Sequence, residues 1–471
     1  MKRNLVQNLS ANTLQLILNQ IFGVVIFYIL SASLDKNSFG QINLALAILL
    51  GVFNILSLGI DQLVIKRIAA GEPVQTTLSL YIFHVLIAGL LFYSILLIGK
   101  ALFVQAGDSY NLLLLIGIGK LMIFFSTPFK QVASGMERFR LLAYMSVTSN
   151  LLRCVCLLAC AFFHYISIHS IVVIFIAGDA VELLFCICLF KRSIKTRLPV
   201  TWNKLNYINL LRESIPQTGV VLITSALARF DWIFIGLILS AAKLAEYSFA
   251  YKIFEMATLP LLAIAPLLIP LFTKQFQQQN INTANLKFLI RSEIIIAALI
   301  ALVLNICWAP VIDSLTGGKY GTVNIKTIFI LSLCMPLLYV NNFLWTIYFA
   351  RGELKMILTS FVITLFVNVA GDILLIPHYK NEGAAFAFLL SCFAQTVFYL
   401  KKNELTGLNI IWQALLICTA CALCSGLIAG AFHLNTWITL LLSVLIYTIL
   451  VLFTGQVQLN DRKNLREVLN W

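Results

Sequence analysis

Apolar residues run along this chain in long continuous stretches, broken by short polar connections and without apolar–polar alternation. About 20 apolar residues at about 1.5 Å each cover about 30 Å of hydrocarbon, so each stretch predicts a helix that crosses a bilayer. Fourteen are expected, at about 10–32, 40–65, 78–99, 111–136, 140–163, 168–190, 208–240, 246–273, 287–309, 325–350, 354–376, 383–400, 408–430 and 435–455. A β-barrel would alternate, so the expected fold class is an all-α polytopic membrane protein. The first stretch is followed by Ser31-Ala32-Ser33, which has the form of a signal-peptidase site. Asn12, Gln15, Asn19 and Gln20 interrupt it, so it is read as a retained span.

Composition agrees: 61% of residues are hydrophobic, 11% are charged and mean hydropathy is +0.95, which excludes an ordinary soluble protein. A net charge of +14 would point to nucleic acid in a soluble chain. Here it follows from Lys and Arg in cytoplasmic loops, and no nucleic-acid partner is expected. With a cytoplasmic N-terminus, 22 of the 33 Lys and Arg fall in cytoplasmic segments, 6 on the opposite side and 5 within spans. That asymmetry supports fourteen spans with both termini cytoplasmic.

The most basic connection, Lys191 to Arg212, follows the sixth span and divides two similar halves. Ser31-Ala32 and Ser38-Phe39-Gly40 in the first answer to Ser240-Ala241 and Ser248-Phe249-Ala250 in the second. Gly135, Glu137 and Asn150 answer to Gly352, Glu353 and Asn368. The repeats lie six spans apart and share one orientation, as in transporters whose site lies between parallel repeats near the midplane. The expected organisation is an N-terminal lobe over 1–195, a C-terminal lobe over 196–405, and two further spans with a cytoplasmic tail over 406–471.

Polar residues inside the spans fall on helical faces: Asn8, Asn12, Gln15 and Asn19 in the first; Asn43, Asn54 and Asp61 in the second; Ser146, Asn150 and Arg153 in the fifth; Thr218, Ser225 and Arg229 in the seventh; Asn341, Trp345 and Tyr348 in the tenth. Isolated, such residues hydrogen-bond between helices at about 0.6 kcal/mol per contact. Repeated in both halves beside cations, they are read as a hydrated central cavity. Lys120 and Arg153 have no carboxylate within a turn of their own helices, and Arg229 and Asp231 point apart. Lys120, Arg153 and Arg229 are the candidate cationic wall, suited to an anion and above all to phosphate through the guanidinium fork. Lys252 joins them as a candidate that Glu255 is spaced to pair, with Asn12, Gln15, Asn19, Asn150 and Asn341 as further candidate substrate contacts. Asp179, Glu182 and Glu255 are candidate ion-coupling carboxylates, the first two sharing a face that meets a cation on another span or stays protonated. Lys130 and Asp372 are expected near helix ends, snorkelling to the interface.

The remaining chemistry is sparse. The 11 cysteines lie almost entirely in apolar runs and read as packing, including the Cys418, Cys421, Cys424 series. The five histidines share no ligand spacing, and no glycine-rich phosphate loop is present, so neither a metal nor another cofactor is expected.

Several stretches carry a family resemblance: Leu56-Ser57-Leu58-Gly59-Ile60-Asp61-Gln62 leading to Lys66-Arg67-Ile68-Ala69; Ser134-Gly135-Met136-Glu137-Arg138; Arg229-Phe230-Asp231-Trp232-Ile233-Phe234-Ile235-Gly236 with Glu246-Tyr247-Ser248-Phe249-Ala250-Tyr251-Lys252-Ile253; and Asn368, Leu374-Leu375-Ile376-Pro377 and Gly383-Ala384-Ala385. In this order, over essentially the whole chain, they resemble polysaccharide flippases of the Wzx type, in the multidrug/oligosaccharidyl-lipid/polysaccharide exporter superfamily. The resemblance implies transport of undecaprenyl-diphosphate-linked oligosaccharide across the bacterial inner membrane by alternating access of two six-span lobes, for O-antigen, lipopolysaccharide, capsule or exopolysaccharide synthesis. It also implies a polysaccharide polymerase and chain-length regulator as partners, and a coupling proton or sodium ion. The first span lacks the carboxylate frequent in drug extruders of the superfamily and the cations typical of its lipid II flippases. A cation-coupled drug antiporter and a membrane polysaccharide polymerase or ligase are the alternatives. The first predicts a carboxylate-dominated cavity, the second a long periplasmic loop.

Overall fold

In lipid each backbone N–H and C=O must be satisfied within its own segment, so long apolar runs become helices. The computed structural model describes residues 2–102, 107–194, 202–261, 283–402, 410–458 and 461, with isolated positions 268–269, 272–273 and 276. Among these residues the protein is helical, with no strand. The helices are α1 (Lys2–Ser33), α2 (Lys36–Leu56), α3 (Ile60–Ala69), α4 (Val74–Leu102), α5 (Gly107–Gly135), α6 (Phe139–Phe162), α7 (Ile168–Ile194), α8 (Lys204–Ile238), α9 (Ala241–Ala257), α10 (Thr283–Thr316), α11 (Ile325–Ala350), α12 (Leu354–Lys402), α13 (Ile410–Gly430) and α14 (Thr436–Phe453).

Eleven helices among the described residues are long and apolar enough to cross a membrane, and twelve when the two segments of α8 are taken as one span. The 49 residues of α12 are two of the expected spans rather than one. Lys380 has φ 54° and leaves the helical region, and the chain folds back there. A Cβ on Gly371 would lie 2.8 Å from that of Ala387, and one on Gly383 would lie 2.5 Å from the Leu375 carbonyl oxygen. Ser360 donates to the Tyr399 hydroxyl at 2.7 Å across the same hairpin. Counting both arms gives thirteen. The span expected over 246–273 begins in α9, and most of the rest lies outside the described residues. Large apolar side chains on the outer faces, among them Leu91, Ile98, Phe366 and Leu427, are exposed, as helices facing lipid require.

The chain divides into two compact units, residues 1–236 with 240–245, and residues 237–239 with 246–471. In the first, α5 packs on α7, α4, α2 and α3, while α6 packs on α1 and α7. Phe39, Ile42, Leu49, Val132, Met145, Leu157, Ile171 and Phe190 are buried between them. The lobe boundary expected at 195/196 falls in 195–201, outside the described residues, and α8 packs with the first unit. The Thr218 hydroxyl donates to the Leu58 carbonyl at 2.8 Å. The Arg67 guanidinium donates to Glu213 at 2.7 Å.

The second span, expected unbroken over 40–65, is interrupted. Leu58 and Gly59 have φ of 49° and 68°, in the left-handed region, so α2 stops at Leu56 and α3 restarts at Ile60. Glycine is needed at the second position on two counts, because a Cβ on Gly59 would also meet that of Gln217 at 2.5 Å.

In the second unit α11 packs on α12 and α10, and α10 on α13 and α14. Asp313 closes the turn after α10, accepting from the Gly321 N–H at 2.7 Å and the Thr322 N–H at 2.9 Å. Phe249 stacks on Tyr320 at 4.4 Å, and the Asn324 amide donates to the Glu246 carbonyl at 3.0 Å, holding α9 to this turn. Arg291, buried on α10, forms an ion pair with Asp461 of the C-terminal tail.

Candidate functional site

A buried polar cluster of the first unit lies where α5, α6 and α7 meet. Small residues bring the helices together: a Cβ on Gly119 would lie 2.6 Å from Asp179 Oδ2, and one on Gly178 would lie 3.0 Å from the Arg153 side chain. Arg153 forms an ion pair with Asp179 and donates weakly to the Phe175 carbonyl at 3.5 Å. Its guanidinium sits 4.5 Å from the Phe175 ring centroid. Ser149 donates to the other side of the pair, reaching Asp179 Oδ1 at 2.8 Å. One turn on, Glu182 forms an ion pair with Lys130. Asp179, Glu182 and Arg153 are buried. The two carboxylates therefore meet cations on neighbouring spans, and Lys130 is turned inward to Glu182 rather than snorkelling outward. Asp372 is likewise fully buried within its helix rather than placed at the interface.

Lys120 is the third cation of the cluster, with Arg153, Asp179, Glu182 and Lys130 as its charged neighbours. Among the described residues no carboxylate lies within ion-pair distance of it. It lines a cavity of about 180 Å³ with Asn54, Ser57, Asp61 and Thr127, walled by Phe53 and Phe124. The break between α2 and α3 supplies one side of the cavity: Asn54 and Ser57 lie at the end of one helix and Asp61 in the first turn of the next. The freed carbonyls are held elsewhere, Leu56 by the His84 ring at 2.8 Å and Leu58 by Thr218. Asp61 accepts from the Tyr81 hydroxyl at 2.7 Å, and His84 also meets the Tyr207 hydroxyl at 3.0 Å. Asp179 and Glu182 are thus each paired with a cation, and Lys120 is left facing a polar space that it shares with the Asp61 carboxylate.

The other residues expected at a site are placed as follows. Asn150 donates to Asn19 at 3.0 Å, joining α6 to α1. Gln15 keeps a buried carbonyl oxygen without a hydrogen-bond partner among the described residues. Asn8 and Asn12 lie on α1, with side chains outside the described residues. Arg229 lays its guanidinium over the Trp232 ring at 4.4 Å, and Asp231 accepts from the Trp232 N–H at 2.8 Å. Lys252 and Glu255 pair along their own helix at 2.7 Å, as their spacing allowed. Asn341 is taken up by helix packing, donating to the Cys392 carbonyl at 2.9 Å and accepting from Thr396 at 2.8 Å. The helix break beside Lys120 was missed from the sequence. Its signal was Gly59 next to a polar pair, Asn54 and Asp61, inside an apolar run. No group of three or more His, Cys, Asp or Glu able to hold a metal occurs among the described residues.

A family model described as "Polysaccharide biosynthesis protein" matches residues 5–276, more than half of the chain. No curated protein matches the chain. Among solved structures, the lipid II flippase MurJ in an inward closed conformation superposes with a TM-score of 0.75 at 14% identity, covering 94% of this chain and 98% of that one. An inward-facing multidrug resistance transporter of the MATE family in the MOP superfamily gives a TM-score of 0.66 at 15% identity, covering 86% and 98%. A MOP superfamily transporter from Pyrococcus furiosus gives a TM-score of 0.58 at 14% identity, covering 85% and 94%. At these identities the likeness is one of fold.

Proposed function

Because the chain belongs to the polysaccharide biosynthesis protein family, we propose that it is a flippase for undecaprenyl-diphosphate-linked oligosaccharide repeat units, moving them from the cytoplasmic to the periplasmic leaflet by alternating access. It would lie in the bacterial inner membrane with both termini cytoplasmic and serve synthesis of O-antigen, capsule or another surface polysaccharide, beside a polymerase and a chain-length regulator. The observation that carries this reading is Lys120 in its polar cavity. An ammonium there meets a phosphate oxygen, while Asn54, Ser57 and Asp61 offer the donors and acceptors that sugar hydroxyls need. Gln15 and the Asn19–Asn150 pair extend the same chemistry, and Arg229, stacked on Trp232, is proposed as a second phosphate contact. Arg153 acts through Asp179, holding the helix that carries the carboxylates.

Lys120→Ala should lower surface polysaccharide at least tenfold, about the contribution of one charge-assisted hydrogen bond, with normal protein level. Lys120→Arg should retain part of it. Normal export by the alanine variant would refute the site.

No nucleotide loop occurs in the sequence, so an ion gradient is the proposed energy source, with Asp179, Glu182 and Glu255 as candidate proton or sodium carriers. Flipping in liposomes should stop when proton and sodium gradients are both collapsed. Persistence would favour facilitated movement down a substrate gradient. A drug antiporter is the second reading, supported by the MATE-like fold and the buried Asp179 and Glu182. It predicts export of cationic dyes that survives Lys120→Ala.

A further inference from the structure

Two apolar cavities of the second unit, of about 630 and about 440 Å³, share Asn305 and Phe329 in their walls and form one groove. Its inner half exists because Ala298, Ala301, Ala422 and Gly426 are small. Its outer half lies between the start of α11 and the tip of the α12 hairpin, along Ile330, Leu375 and Phe386. The polar groups at its waist are already used. The Asn305 amide donates to Ser332 at 2.6 Å and to the Ala301 carbonyl at 2.8 Å, and the Ser332 hydroxyl donates to the Phe329 carbonyl at 2.7 Å. Thr419 in the inner wall keeps a buried hydroxyl without a hydrogen-bond partner among the described residues, and the rest of the wall is apolar and suits an apolar chain. From Lys326 at its mouth to Pro336 at its inner end it follows ten residues of α11, about 15 Å at about 1.5 Å per residue. That is half of a hydrocarbon core of about 30 Å, the depth of one leaflet.

The mouth differs from the walls. Lys326, Tyr379 and Glu382 lie there together, Lys326 and Tyr379 exposed and Glu382 half-buried. Neither Lys326 nor Glu382 forms an ion pair among the described residues. One cation and one carboxylate above an apolar slot one leaflet deep match a lipid headgroup carrying both signs. We propose that this groove is a binding site for one phospholipid with a phosphoethanolamine headgroup, its phosphate on Lys326, its primary ammonium on Glu382 and an acyl chain along α11. A polyprenyl phosphate satisfies Lys326 but sets its anion beside Glu382, and a choline headgroup has no N–H to donate to the carboxylate. The charge asymmetry places this mouth, with Lys319 and Lys380, on the periplasmic side. The site stands whatever the transported substrate is.

The full-length protein in detergent, titrated with single lipids and read by native mass spectrometry, tests this. Phosphatidylethanolamine should bind about tenfold tighter than phosphatidylglycerol, phosphatidylcholine or undecaprenyl phosphate, as one added charge-assisted hydrogen bond implies. Glu382→Ala should abolish the preference over phosphatidylglycerol, and Glu382→Lys should reverse it. Lys326→Ala should weaken both lipids about equally, and Ala301→Phe should reduce all binding by filling the groove. If Ala301→Phe fails to fold, the three mouth variants decide the matter, since all change side chains outside the packed core. Equal binding of phosphatidylglycerol or undecaprenyl phosphate by the unaltered protein, or a preference unchanged in Glu382→Lys, would overturn the proposal.

Discussion

Replacing Arg153 separates a structural ion pair from a substrate contact. Its side chain is 8% exposed and that of Asp179 0%. Arg153→Ala leaves Asp179 buried with Ser149 as its remaining donor at 2.8 Å. Removing one member of a buried pair costs about 3–5 kcal/mol, because the other stays charged without compensation. Loss of the guanidinium from the Phe175 face, 4.5 Å away, adds about 0.5–2 kcal/mol. Arg153→Ala should therefore deplete the protein and lower its thermal stability in detergent. Asp179→Asn should do the same to a smaller degree, since the amide keeps the shape and the Ser149 bond. The double variant Arg153→Ala with Asp179→Asn should recover much of the loss, giving a coupling energy of at least about 2 kcal/mol in a double-mutant cycle. Protein level, melting temperature and surface polysaccharide are measured on the same four strains. The reasoning fails if Arg153→Ala is as stable as the unaltered protein and loses polysaccharide alone. Arg153 would then be a substrate contact and its pairing with Asp179 incidental.

The other predictions concern backbone and topology. Gly383→Ala should destabilise by about 1–3 kcal/mol, because its Cβ would meet the Leu375 carbonyl at 2.5 Å across the α12 hairpin; unchanged melting would mean the hairpin is more open. Gly59→Ala carries a similar clash plus a left-handed φ of 68°, and should cost more than the same change at Gly51, where nothing lies within 4 Å of the added Cβ. Reporter fusions after Lys204 and after Lys402 should both read cytoplasmic, and a periplasmic reading at either would break the proposed orientation.

The membrane class, the helix positions and the hairpin between 376 and 383 were legible in the sequence because their causes are local. Hydropathy acts over about 20 consecutive residues, and Pro377 followed by Gly383 marks a reversal within a few residues of its position. The Lys252–Glu255 pair was legible for the same reason, both partners lying within one turn. Arg153–Asp179 and Lys130–Glu182 were not, because each joins different helices. Which faces meet depends on how far each helix is rotated and shifted along its neighbour, and close approach at Gly119 and Gly178 sets both. The tertiary structure also decided that Asn341 serves packing while Lys120 opens on a cavity. Both are polar residues in apolar helices, and only the groups on neighbouring helices distinguish them. The break between α2 and α3 lies between these cases: Gly59 permits it locally, and the packing of Thr218 and His84 against the freed carbonyls stabilises it.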